Sequence, residues 1–139
     1  MKILILCTGN TCRSQMAEGY LQSLDNSLQV YSGGVSPGGG VNPFAVEVMK
    51  EKGIDISGRK SSDVMEYIQD SFDYVITVCD HAKETCPVFT GEVKHKLHFG
   101  FEDPAEYKGD NEATLNKYRE VRDLIFDTFG SWYESIVKK

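Results

Sequence analysis

Apolar residues recur along this chain in two rhythms, one of strands and one of helices, and the two alternate. Ile3-Leu4-Ile5-Leu6 is a short unbroken apolar run, the pattern of a strand buried on both faces. Beyond a turn-like stretch, Met16, Ala17, Tyr20, Leu21 and Leu24 fall at helical spacing, with Glu18 and Gln22 on other faces. Residues 28–31 read as a second strand closed by Ser32-Gly33-Gly34, and Ser36-Pro37-Gly38-Gly39-Gly40 as a loop. Asn42-Pro43 starts a helix with Asn as N-cap and Pro in the first turn. Phe44, Val48 and Met49 form its apolar face, and Gly53 ends it.

Ser62 and Asp63 can cap a short helix carrying Met65, Tyr67 and Ile68. Residues 74–78 form the strongest strand pattern, with Cys79 at its C-terminal end. A weaker alternating strand covers 94–99, followed by a loop over 100–109 around Asp103-Pro104. From 112 to 137, Leu115, Tyr118, Val121, Leu124, Ile125, Phe129 and Trp132 mark a long amphipathic helix that Gly130 bends or divides. Strands alternating with helices predict one α/β domain over 1–139: an open parallel sheet of about four strands, flanked by helices. Sites in such sheets lie beyond the carboxyl ends of strands. Cys7 and Cys79 both fall there. If their strands are neighbours, the two sulfurs share one crevice.

The 139 residues suit one core, and 40% hydrophobic with 26% charged residues is ordinary for a globular protein. No apolar stretch approaches the roughly 20 residues of a membrane helix, and the N-terminal one is too short for a signal peptide. A cytoplasmic monomer without a membrane is expected. With 15 Lys and Arg against 21 Asp and Glu, the charge is −6 and no basic stripe invites nucleic acid. The same balance repels anions at long range, so an anionic substrate needs a strong local site.

The four cysteines, Cys7, Cys12, Cys79 and Cys86, are not a disulfide framework in a reducing cytosol. Their C-x4-C and C-x6-C spacings also differ from the C-x2-C of zinc knuckles. Cys7 and Arg13 make a C-x5-R motif with Ser14 next, directly after a strand and before a helix. A tetrahedral oxyanion needs many donors, which the backbone N–H groups of a short loop and a helix start can supply. Arg13 adds a planar fork for two oxygens. Thr8, Gly9, Asn10, Thr11, Cys12, Arg13 and Ser14 are thus the candidate substrate-binding residues, with Gly9 permitting backbone angles a side chain would oppose. The same donors favour the thiolate of Cys7, making it a nucleophile. Asn10 and Ser14 can brace the loop or bond the sulfur.

Cys7-Thr8-Gly9-Asn10-Thr11-Cys12-Arg13-Ser14-Gln15-Met16-Ala17-Glu18-Gly19 resembles the opening of low-molecular-weight tyrosine phosphatases and their arsenate reductase relatives. Asp103-Pro104 is similar to the general-acid loop of that fold. Cys79-Asp80-His81-Ala82-Lys83-Glu84-Thr85-Cys86-Pro87 has no role in a phosphatase. It resembles the second cysteine pair of thioredoxin-coupled arsenate reductases, and the likeness extends through Phe99-Gly100-Phe101-Glu102-Asp103-Pro104-Ala105. The resemblance implies reduction of arsenate with catalytic Cys7, Arg13, Asp103, Cys79 and Cys86. Cys7 attacks arsenic, Cys79 attacks Cys7, Cys86 attacks Cys79, and thioredoxin reduces the last disulfide. No tightly bound cofactor is expected.

The family further implies a structural potassium ion in some members, at positions matching Asn10, Glu18, Ser32 and Asp63. Where a histidine often precedes the Ser-Asp pair, this chain has Arg59-Lys60-Ser61-Ser62-Asp63, which keeps a local cation. No step of the relay needs Cys12, so packing is its expected role. His81, His95 and His98 are expected to be solvated or satisfied, and Tyr107 borders the pocket mouth or the surface. If 79–86 is helical, the two Cα atoms are about 10.5 Å apart. A disulfide needs about 4.4–6.8 Å, so that segment is expected to be mobile. Two readings compete: a phosphatase using only Cys7, Arg13 and Asp103, and a non-catalytic anion-binding or redox-sensing protein.

Overall fold

A computed structural model describes residues 1–137. Its sheet has four parallel strands in the order β2-β1-β3-β4: β1 Lys2–Cys7, β2 Gln29–Gly34, β3 Phe72–Thr77 and β4 Val93–His98. The helices are α1 Arg13–Leu24, α2 Pro43–Lys50, α3 Asp80–Thr85 and α4 Asn111–Trp132. Ile3, Leu4, Ile5 and Leu6 have no exposed surface, because β1 is central and covered on both faces. Ile3 pairs with Tyr74 and Leu4 with Tyr31, so Tyr74 and Tyr31 point to opposite faces. Tyr74 meets Trp132 of α4 edge-on at 5.0 Å, while Tyr31 packs on Tyr67 at 5.9 Å. Among the described residues no helix is long and apolar enough to cross a membrane.

From β1 the chain first adds β2 on one side, then crosses to β3 on the other. This reversal opens a crevice beyond the ends of β1 and β3, the usual ligand position in such sheets. Leu6 pairs with Thr77, so Cys7 and Cys79 leave neighbouring strands at nearly the same level.

Three expectations change in detail. The helix expected over 62–68 is only a 3-10 turn, Val64–Glu66, which leaves Tyr67 and Ile68 outside it. Asp63 caps that turn by accepting from Met65 N–H, while Glu66 bonds back to Asp63 N–H. Gly130 does not divide the last helix; α4 runs unbroken to Trp132 and continues as a π turn, Tyr133–Val137. A Cβ at Gly130 would sit 2.9 Å from the Tyr20 hydroxyl, so this glycine lets the two helices approach. The third strand starts at Phe72 and ends at Thr77, a shift toward the chain's start.

Glu51, capping α2, ties that helix to α4. Arg119 donates to its carboxylate at 2.7 Å and Arg122 at 2.8 Å; Arg122, only 5% exposed, also donates to the Val48 carbonyl. The Arg119 hydrogen bonds, with those of Arg122, hold the Glu51 carboxyl down at about 2. A lowered value means the stabilisation is present above pH 4.5, the ordinary value, and is lost as pH falls toward 2. Glu51→Gln is expected to cost about 1 kcal/mol at neutral pH, modest because the carboxylate is partly exposed. Thermal melts at falling pH should show the gap to the parent protein closing.

Candidate active site

The loop after β1 turns its carbonyls outward. Those of Cys7, Thr8, Gly9 and Thr11 accept from the N–H groups of Val35, Ser36, Gly38 and Asn42, at 2.8–3.2 Å. Across a planar trans peptide the next N–H points the opposite way. The amides of Thr8, Gly9, Asn10 and Cys12 are thereby turned inward, and that of Asn10 reaches the Cys7 sulfur at 3.2 Å. This is the nest an oxyanion requires. α1 begins at Arg13 and directs its N-terminus at the same point.

The strained position is Asn10 rather than Gly9. Asn10 has φ 54, a left-handed conformation that asparagine tolerates, whereas φ at Gly9 lies outside that region and a Cβ there meets only the Thr11 side chain at 3.5 Å. The glycine that sterics demand is Gly34, at the end of β2. A Cβ at Gly34 would lie 2.5 Å from the Thr8 carbonyl oxygen and 3.1 Å from the Asn10 nitrogen. No local motif marks it, because the close approach is made across the sheet.

Asn10 is fully buried and acts as the loop's hub. Its Oδ1 accepts from Ser62 N–H at 2.8 Å, and its Nδ2 donates to Ser14 Oγ at 2.8 Å and Ser32 Oγ at 2.9 Å. Its carbonyl accepts from the Ser61 hydroxyl at 3.1 Å and from Gln15 Nε2 at 3.2 Å. Ser14 Oγ lies 2.9 Å from Cys7 Sγ. Since Ser14 already accepts from Asn10, its hydrogen is available to a thiolate at Cys7. Asn10 and Ser14 are thus placed as expected; the roles of Gln15, Ser61 and Ser62 lie beyond the motif.

Arg13 donates to the Phe101 carbonyl at 3.0 Å and stands 3.6 Å from Asp103. Asp103 accepts from Ala105 N–H at 2.9 Å and so caps the turn Pro104–Glu106. Arg13, Asp103, Thr8 and Cys79 line one open cleft together with Asp80, His81, Glu102 and Glu106. The lining sets one guanidinium, Arg13, among the carboxylates of Asp80, Glu102, Asp103 and Glu106. Phe101 also lines the cleft, whereas Tyr107, 41% exposed, is a surface aromatic. His98 is satisfied between Thr77 at 2.8 Å and Asp80 at 2.9 Å, and His95 stacks on Tyr74.

All four cysteines are free thiols. Cys79, buried at the start of α3, reaches Thr8 Oγ1 at 3.3 Å, next door to Cys7. Cys86 is half-buried at the other end of α3, among Val75, Thr77, Lys83 and Lys96. Burial pushes its thiol up, against the opposing charge of Lys96. The six-residue helix between the two must open before their sulfurs can join. Cys12 is buried, and desolvation, aided by the charge of Asp103, pushes its thiol far up. Its side chain lies in the core cluster.

Of the four residues matching a potassium set, three are linked. Glu18 accepts from the Ser32 hydroxyl at 2.5 Å, and Ser32 accepts from Asn10. Asp63 instead caps the 64–66 turn. Arg59, unassigned by the motif, donates to Glu18 at 2.7 Å. The positive charge facing Glu18 is therefore a guanidinium, and the set does not fit an ion held by all four.

Comparison with known proteins agrees with this geometry. The family model for low molecular weight phosphotyrosine protein phosphatase matches residues 2–139. The chain is 46% identical over 124 residues, 88% of each chain, to an arsenate reductase of Halalkalibacterium halodurans. It is 50% identical over the same length and shares to arsenate reductase 2 of Staphylococcus haemolyticus. A solved arsenate reductase in the phosphate-binding state is 30% identical and superposes with a TM-score of 0.81, covering 97% of this chain and 98% of that one. With an oxyanion loop of this build and relatives at this identity, the chain belongs to the low molecular weight phosphotyrosine protein phosphatase family, beside members named arsenate reductase.

Proposed function

We propose that this protein reduces arsenate to arsenite and exports the oxidation through Cys79 and Cys86 to thioredoxin. The observation that carries the reading is the Cys79 thiol, bonded to Thr8 of the oxyanion loop and lining the cleft with Arg13 and Asp103. Hydrolysis of a phosphate ester needs no such sulfur. Cys7 thiolate attacks arsenic(V), and an arsenic oxygen protonated by Asp103 departs as water. Cys79 then attacks the Cys7 sulfur; the sulfur–arsenic bond breaks, its electron pair stays on arsenic, and arsenite leaves. Cys86 attacks Cys79 and frees Cys7. A dithiol reductant of the thioredoxin type supplies the two electrons that reopen the Cys79–Cys86 bond. The carboxylates lining the cleft, Asp80, Glu102 and Glu106, disfavour an acidic phosphopeptide.

The test is arsenate-dependent NADPH oxidation in the presence of thioredoxin and thioredoxin reductase. Arsenite must form in step with NADPH loss, and omission of thioredoxin must stop both. No turnover under these conditions would leave Cys7, Arg13 and Asp103 as a phosphatase trio. Because burial raises the Cys86 thiol, its thiolate fraction at neutral pH is small and grows with pH. Conversion of the first disulfide to Cys79–Cys86 is therefore expected to accelerate by roughly tenfold per pH unit between pH 7 and 8. Quenched-flow alkylation with mass mapping would read it, and a rate flat with pH would count against Cys86 thiolate as the attacking group.

A further inference from the structure

We infer that Arg59 is a positioning residue for the oxyanion loop: its guanidinium fixes Glu18, and through Ser32 and Asn10 this orients the Ser14 hydroxyl toward Cys7, the task a bound monovalent cation would otherwise perform. The wire is continuous. Arg59 donates to Glu18, Ser32 donates to Glu18, Asn10 donates to Ser32 and Ser14, and Ser14 touches the sulfur, every step between 2.5 and 2.9 Å. The direction of each bond is determined. Ser62 N–H can only donate, so the atom of Asn10 that it meets is Oδ1 and the amide of Asn10 cannot flip. Nδ2 must then give both hydrogens to the two serines. Each serine oxygen accepts from Asn10, which leaves its own hydrogen for the next partner: Glu18 for Ser32, Cys7 for Ser14.

Glu18, Ser32, Arg59, Lys60 and Tyr67 line one cleft, and the cation paired with Glu18 there is Arg59, at 2.7 Å. The cleft also holds Gln15 Oε1, the one buried side-chain acceptor without a donor among the described residues. A potassium ion would find that oxygen attractive, and it is the competing occupant the experiment must exclude.

The readouts need no turnover, so an error about the substrate would leave them standing. Inorganic phosphate binding by calorimetry and the rate of Cys7 alkylation by iodoacetamide, resolved by mass mapping, are measured in choline chloride and in KCl at equal ionic strength. The parent protein is expected to give the same values in both salts. Arg59→Met should weaken phosphate binding about tenfold and slow alkylation several-fold, with Arg59→Lys recovering most of both. Glu18→Gln should reproduce the Met losses with Arg59 intact, and it decides the matter if Arg59→Met fails to fold. Stimulation of the parent protein by KCl would overturn the inference. So would a lowered melting temperature with phosphate affinity and Cys7 alkylation unchanged, since that outcome makes the ion pair a structural brace alone.

Discussion

Cys79→Ser is expected to stop steady arsenate reduction, a loss of more than about 10³-fold, while aryl phosphate hydrolysis stays within about threefold of the parent. The two activities separate because they need different atoms. On the proposed reading hydrolysis would use Cys7 as nucleophile, Arg13 as clamp and Asp103 as acid, and all three remain in the variant. Reduction needs a second sulfur to take the bond from arsenic, and serine cannot form it. Serine also keeps a hydroxyl beside Thr8, where the thiol stands 3.3 Å away, so the loop should remain folded. Arsenite formation and p-nitrophenyl phosphate hydrolysis, measured on one preparation, decide the case. Continued arsenite formation would remove Cys79 from the reaction.

Asn10→Ala is expected to destabilise the fold by about 3 kcal/mol and to abolish measurable phosphate binding. Alanine in the left-handed region costs about 1–2 kcal/mol. Removing the amide also strands Ser62 N–H, at about 1–3 kcal/mol for a buried unpaired group, and takes the shared donor from the Ser14 and Ser32 oxygens. Asn10→Gly separates the two causes. Glycine accepts φ 54 without strain but restores no hydrogen bond. It should therefore recover about 1–2 kcal/mol of stability in urea denaturation while binding phosphate no better. Equal stability of the two variants would show that backbone strain is not what Asn10 relieves.

The sheet and the ends of its first and third strands were legible because buried parallel strands are written as short apolar runs. That is why Cys7 and Cys79 could be set at strand ends from sequence, sharing a crevice on the condition that their strands are neighbours, as β1 and β3 are. The loop was legible through C-x5-R, whose spacing is dictated by the anion it holds. What stayed hidden depends on pairs far apart along the chain. Gly34 is required by Thr8, Asn10 is held by Ser62, and Glu18 is answered by Arg59 41 residues later. Gly9 drew attention as the flexible position, yet the left-handed backbone falls on Asn10, where a side chain is needed as well as the angle. Gly130 looked like a break and is a contact, because helical periodicity cannot show what packs against a glycine. Asp63 was assigned to an ion by family likeness, while its local sequence, with Glu66 three residues on, already spelled a capping box.

The oxyanion nest is bolted from outside to 35–42 and from within to 61–62. None of those stretches is near the loop in sequence, so the receptor for the anion exists only in the assembled sheet. Occupancy and global folding are then one linked equilibrium: an oxyanion at a hundred times its Kd adds about 2.7 kcal/mol to the folded state. The ligand serves as a clasp on its own receptor.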